Sequence, residues 1–164
     1  MASFIDSYYH LLRRVLTILM GFLIFPVSLQ IISRYTGIIP RYIWTEEVAR
    51  FCFVWIIMIG AMIAVRDNSH FDVDLLPHPK TKRSQGKRNL IVHIAIAVLA
   101  LFFSVYGVKF AQLGYIQNSE MSGINMISIY ISFPLAGFTW LLFVAEKIAE
   151  DIRMMRNPGK GPPL

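Results

Sequence analysis

The hydrophobic pattern divides the chain into four long apolar stretches separated by short polar segments. The stretches cover 15–33, 44–65, 89–108 and part of 121–145. Each is long enough to cross a hydrocarbon core of about 30 Å as a helix. At these lengths only helices satisfy the backbone in lipid, so the pattern predicts an all-α membrane protein with four transmembrane helices. We expect one domain over 1–156 and a disordered tail over 157–164.

The second stretch is the most informative one. Its fully uncharged part, Phe51 to Val65, rises only about 22 Å as a helix, so a spanning helix must begin near Trp44. That start places Glu46, Glu47 and Arg50 at the membrane edge, where charged groups are costly and should pair or face protein. Glu46 and Arg50 are four residues apart in the favourable acid-first order.

A helical wheel of this stretch predicts a stripe with charged residues at one end and small residues at the other. Its members fall within about 60° of one line: Glu46, Arg50, Phe53, Ile57, Gly60, Ala61 and Ala64. Small residues let helices approach closely in lipid. Two interpretations stay open, namely a docking face for another subunit and packing within the chain's own helices. The charged end favours the partner.

Three further residues near the same membrane edge are also candidates for the partner interface. Trp44 suits an interfacial anchor. Arg34 follows the first stretch, and it can either pair with Glu46 or Glu47 or snorkel to the interface. Glu47 points away from the stripe, and we expect it in water.

Composition and charge narrow the class of protein. Apolar residues make up 55% of the chain and charged residues 16%, which is too apolar for an ordinary soluble domain. The net charge of +6 could indicate nucleic acid, but the cations flank the apolar stretches, so we predict no nucleic-acid partner. Twelve of the 16 lysines and arginines fall on the side of the N-terminus, which predicts that both termini are cytoplasmic.

The middle of each apolar stretch lacks acidic, basic and histidine side chains. Transporters usually keep such groups or broken helices near the bilayer midplane, so we predict an accessory subunit without a solute path of its own. We predict no enzyme activity, catalytic residue, cofactor or metal site.

Two patterns near the predicted cytoplasmic side have alternative interpretations. His70, Asp72 and Asp74 follow Arg66 with alternating apolar residues; this favours an amphipathic elbow over a divalent metal site. Four histidines lie on this side: His10, His70, His78 and His93. They keep open the alternative of a haem-binding or quinone-linked anchor of a membrane oxidoreductase.

An ordered set of motifs over 34–76 resembles the small membrane subunit of TRAP transporters, the DctQ-type family. The set is Arg34-Tyr35, Trp44-x-Glu46-Glu47-x-x-Arg50, Gly60-Ala61, Arg66 and His70-x-Asp72. The resemblance implies a small permease subunit in the bacterial inner membrane, part of a tripartite, sodium-coupled uptake system for an organic anion such as a dicarboxylate or a sugar acid. It also implies a large TRAP-type membrane subunit with the substrate and ion sites, and an extracytoplasmic substrate-binding protein. The small subunit would be a scaffold and lipid-facing support, with a structural corner at 70–74.

Overall fold

The computed structural model describes residues 2–36, 42–67, 82–120 and 122–156. These residues form four long helices and one short one: α1 Ala2–Thr36, α2 Ile43–Arg66, α3 Lys82–Ile116, α4 Ile127–Tyr130 and α5 Ser132–Arg156. Within these ranges the sole strand-like pairing is an isolated bridge between Asn118 and Asn125. The predicted all-α fold with four membrane helices is confirmed, while His70, Asp72, Asp74 and the tail 157–164 lie outside the described residues.

Helices α1 and α3 are much longer than the apolar stretches that predict them. Each has 35 residues and rises about 50 Å, well beyond a hydrocarbon core of about 30 Å. The apolar pattern reports only the part of a helix that lies in lipid, whereas the flanking polar turns contain nothing that forces the helix to end. Pro26 lies inside α1, which continues through it.

The fourth span is built from α4 and α5, which are separated only by Ile131. The buried Ser132 hydroxyl donates to the Ile129 carbonyl at 2.6 Å across this break. Pro134 falls in the first turn of α5, where its missing N–H removes no helical hydrogen bond. The proline therefore belongs to a helix start and does not kink the middle of a span.

Successive spans alternate in direction, so the bundle has two ends. We call them the Arg66 end, where α2 finishes, and the Trp44 end, where it begins. The most extensive contact is between α3 and α5; α1 packs on α2, and α2 joins the two pairs through α5. Glycines permit the close α3–α5 contact, because a Cβ at Gly107 would lie 2.7 Å from the Pro134 nitrogen and one at Gly137 2.5 Å from the Ser104 nitrogen.

Candidate functional site at the two polar ends of the bundle

At the Trp44 end, the predicted Glu46–Arg50 ion pair on α2 is formed and is exposed. Arg50 Nη2 donates to Glu46 Oε1 at 3.4 Å, and the two side chains are 56% and 63% exposed. Exposed pairs of this kind contribute only about 0–1 kcal/mol to stability. Both charges therefore remain accessible to another molecule.

The rest of the stripe divides between the outside and the inside of the bundle. Phe53 and Ile57 are exposed, and a Cβ added to Gly60 would have no heavy atom within 4 Å. Ala61 packs against the buried core, and Ala64 is half-buried. The stripe thus faces away from the chain's own helices from Glu46 to Gly60 and turns into the bundle beyond it.

Glu47 has a different environment from the one that the sequence suggests. Its side chain is buried, with the residue only 4% exposed, and its carboxylate accepts hydrogen bonds from Ser119 and Ser122. One oxygen, Oε2, is buried without a hydrogen-bond partner among the described residues. The expectation of a carboxylate in water is wrong, because Ser119 and Ser122, which follow α3 in the chain, lie against the start of α2.

The described residues between α3 and α4 are held by hydrogen bonds in a turn. The Ser119 N–H donates to the Ile124 carbonyl at 2.8 Å, and Gly123 has a φ of 71°, a conformation that favours glycine. Asn125 Nδ2 donates to the Tyr115 carbonyl at 2.9 Å. Nothing in the local sequence around Glu47 points to Ser119 or Ser122, which lie more than seventy positions further along the chain.

Arg34 and Trp44 both lie at the surface of this end. Arg34 is exposed at the last turn of α1 and forms no ion pair with Glu46 or Glu47 in the described part of the chain. This arrangement agrees with the snorkelling alternative. The Trp44 ring is half-exposed, and its centroid lies 6.2 Å from that of Tyr42, as in an interfacial aromatic belt.

At the Arg66 end, one arginine joins three helices. Arg66 Nη2 donates to Asp6 of α1 at 2.8 Å, and its Nη1 donates to Glu146 of α5. The guanidinium also lies 5.7 Å from the Phe143 ring centroid, and its side chain is only 18% exposed. Of the predicted elbow residues, Arg66 alone is described, and it holds the bundle together through remote residues of the chain.

A buried polar pair ties α3 to α5 at the same end. His93 Nδ1 lies 2.6 Å from Asp151 Oδ2, with side chains 8% and 4% exposed. In the described ranges, no cluster of three or more His, Cys, Asp or Glu residues could hold a metal ion. His10 is exposed, so the two described histidines do not face each other as a pair of haem ligands would.

Four helices of the described chain are long and apolar enough to cross a membrane: Ile5–Thr36, Trp44–Arg66, Asn89–Ile116 and Ile127–Arg153. Their charged side chains lie near the two ends, so the fold defines a membrane component without a charged centre. The family model for the DctQ component of tripartite ATP-independent periplasmic transporters matches residues 23–154. The chain therefore belongs to this family of TRAP transporter small permeases.

Two kinds of relatives align with the chain, namely separate small permease proteins and a longer permease polypeptide. The sialic acid TRAP transporter small permease protein SiaQ of Vibrio cholerae is 24% identical over 88% of this chain and 83% of its own length. A TRAP transporter small permease protein of Haemophilus influenzae is 26% identical over 67% of each chain. The isethionate TRAP transporter permease protein DctMQ of Oleidesulfovibrio alaskensis is 27% identical over 80% of this chain but only 22% of its own length.

These matches establish the general class of the protein. It is a multi-pass protein of the bacterial inner membrane and a transporter component, not an enzyme. Small permeases of this family pair with a large permease subunit, and the match to DctMQ covers one part of a longer permease polypeptide. Family membership displaces the alternative of a haem-binding anchor.

Proposed function

We propose that this chain is the non-transporting subunit of a sodium-coupled TRAP uptake system for an organic anion. It docks the large permease subunit through the outward-facing part of α2, from Glu46 to Gly60. One observation carries the proposal: the polar and small residues of this stripe face away from the chain's own bundle, whereas the polar groups of the Arg66 end pair within it.

The absence of midplane charge supports the accessory role. A solute path for an anion needs polar or cationic groups, or broken helices, inside the membrane. The charged residues that the structure describes lie toward the ends of the spans, and the α3–α5 surface is apolar and aromatic. The large permease therefore supplies the sites for the anion and for sodium, and an extracytoplasmic binding protein delivers the anion.

The names of two relatives support the class of solute. Sialic acid and isethionate are organic anions, and each is part of the name of a TRAP protein similar to this chain. A dicarboxylate, a sugar acid or a sulfonate fits the same class. The charge distribution supports an orientation with both termini in the cytoplasm, which places the Trp44 end on the side of the binding protein.

The geometry of the stripe suits a membrane-embedded subunit contact. Gly60 leaves a gap that a neighbouring helix can approach closely, and Phe53 and Ile57 offer apolar contact above it. At the membrane edge, Glu46 and Arg50 can pair with opposite charges of the large subunit. Desolvation by that subunit would strengthen contacts that water weakens in the isolated chain.

Reconstitution into liposomes tests the function. A panel of dicarboxylates, sugar acids and sulfonates is first screened for the anion that most raises the melting temperature of the partner binding protein. Under an inward sodium gradient, we expect no uptake of that labelled anion by the chain alone, and uptake when the large permease and loaded binding protein are added.

The large permease with the binding protein, but without this chain, is the matched control and should lose most of the uptake. Robust uptake by the lone chain would contradict the accessory role. Full uptake without the chain would show that it is not required.

A further inference from the structure

An apolar groove lies between α3 and α5, near the Trp44 end. Its volume is about 550 Å³, and aromatic rings form most of its lining. Phe103 and Phe133 both line it, with ring centroids 6.2 Å apart, and Phe110 meets Phe133 edge-on at 5.4 Å. Tyr106, which is exposed, also lines the groove.

The groove is preformed because its two helices are in close contact at Gly107, which lines it. Gly107 lies against the backbone of Pro134, where even a methyl group would not fit. On one side, Phe102 stacks on Tyr106 with centroids 5.4 Å apart. A ligand can thus enter without first separating α3 from α5.

One cation lies at the edge of this groove. Lys109 is the only lysine, arginine, aspartate or glutamate between Asn89 and Ile116, and it lines the groove. Its Nζ lies 5.5 Å from the Tyr106 ring centroid, and the described residues provide it with no ion-pair partner. Lys109 is seven residues before the end of α3, about 10 Å along the helix, so its long side chain can reach the headgroup region.

We propose that this groove holds an acyl chain of an anionic phospholipid whose phosphate group binds Lys109. Apart from Lys109 at its edge, the lining is almost entirely apolar, so it fits a hydrocarbon chain joined to a single acidic group. Because the bilayer interior is as apolar as the groove, burial of the chain alone gives little preference. The preference therefore comes from the attraction between Lys109 and an acidic headgroup at the membrane surface.

Native mass spectrometry of the purified chain tests the site, with phosphatidylglycerol and phosphatidylcholine added in separate samples. We expect one phosphatidylglycerol to stay bound under conditions that remove phosphatidylcholine. Lys109→Ala should lower the phosphatidylglycerol affinity about tenfold, equivalent to about 1.4 kcal/mol. Lys109→Arg should retain it, and Lys147→Ala, which removes the same charge from the Arg66 end, should leave it unchanged.

A second variant tests the contribution of the apolar groove to lipid binding separately from that of the Lys109 charge. Leu113→Trp fills part of the groove and keeps Lys109, and we expect it to reduce bound phosphatidylglycerol as well. Equal retention of both lipids, or parent-like binding by both Lys109→Ala and Leu113→Trp, would overturn the proposal. Loss of the lipid from the parent chain when the large permease is bound would also overturn it, since the groove would then be a protein contact.

Discussion

At the Arg66 end of the bundle, polar side chains from all four spans contact one another within the chain. At the Trp44 end, by contrast, the main ion pair is exposed. Arg66 contacts carboxylates from two other helices, and the His93–Asp151 pair is buried. The Glu46–Arg50 pair, by contrast, is more than half exposed and belongs to a single helix.

The difference separates groups that hold the chain together from groups that it presents to others. A buried polar contact is costly to break, because removal of one member leaves the other unsatisfied. An exposed pair on one helix adds little to the fold. The Arg66 end therefore stabilises the bundle, and the Trp44 end keeps charge available for a partner.

The largest stability effect should follow loss of Arg66. Arg66→Ala removes the cation that pairs with the half-buried Glu146 and with Asp6 of α1. We expect this variant to lower the free energy of unfolding by about 3 kcal/mol. The measurement is denaturant unfolding of the purified chain in detergent. Arg50→Ala is the matched control and should lose only about 0.2–1 kcal/mol. Equal losses of unfolding free energy in the two variants would contradict the different roles of the two ends.

A smaller loss should follow disruption of the buried pair between α3 and α5. Asp151→Ala leaves His93 without its carboxylate partner, which we expect to cost about 1–3 kcal/mol in the same unfolding measurement. Its exposed neighbour provides the control, since Glu150→Ala should change stability by less than about 0.5 kcal/mol. If Asp151→Ala matches Glu150→Ala, the pair does not hold these helices together.

The sequence was sufficient to predict the local features of the fold. Hydropathy predicts four spans, and helical periodicity predicts that Glu46, Arg50 and Gly60 share a face. The i,i+4 spacing also predicts the Glu46–Arg50 pair, which the structure shows. All of these depend on one helix at a time, and the period of a helix is fixed by its backbone.

The sequence did not predict the contacts between helices. The Arg66 contacts join residues 60 and 80 positions apart, and the His93–Asp151 pair spans 58 positions. Each depends on the rotation and register of two packed helices, which a single apolar pattern does not fix. Glu47 was misjudged for the same reason, because its burial depends on a distant turn that carries Ser119 and Ser122.

Co-purification of the large permease with this chain most directly tests the central claim that the stripe on α2 docks the partner. Two glycines with open space at their Cβ positions form a matched pair: Gly60 in the stripe and Gly21 on α1. With expression levels equalised, we expect Gly60→Leu to reduce recovery of the large permease at least about tenfold, a loss of about 1.4 kcal/mol, while Gly21→Leu recovers it like the parent. Parent-like recovery with Gly60→Leu, or equal losses in both variants, would contradict docking through this stripe.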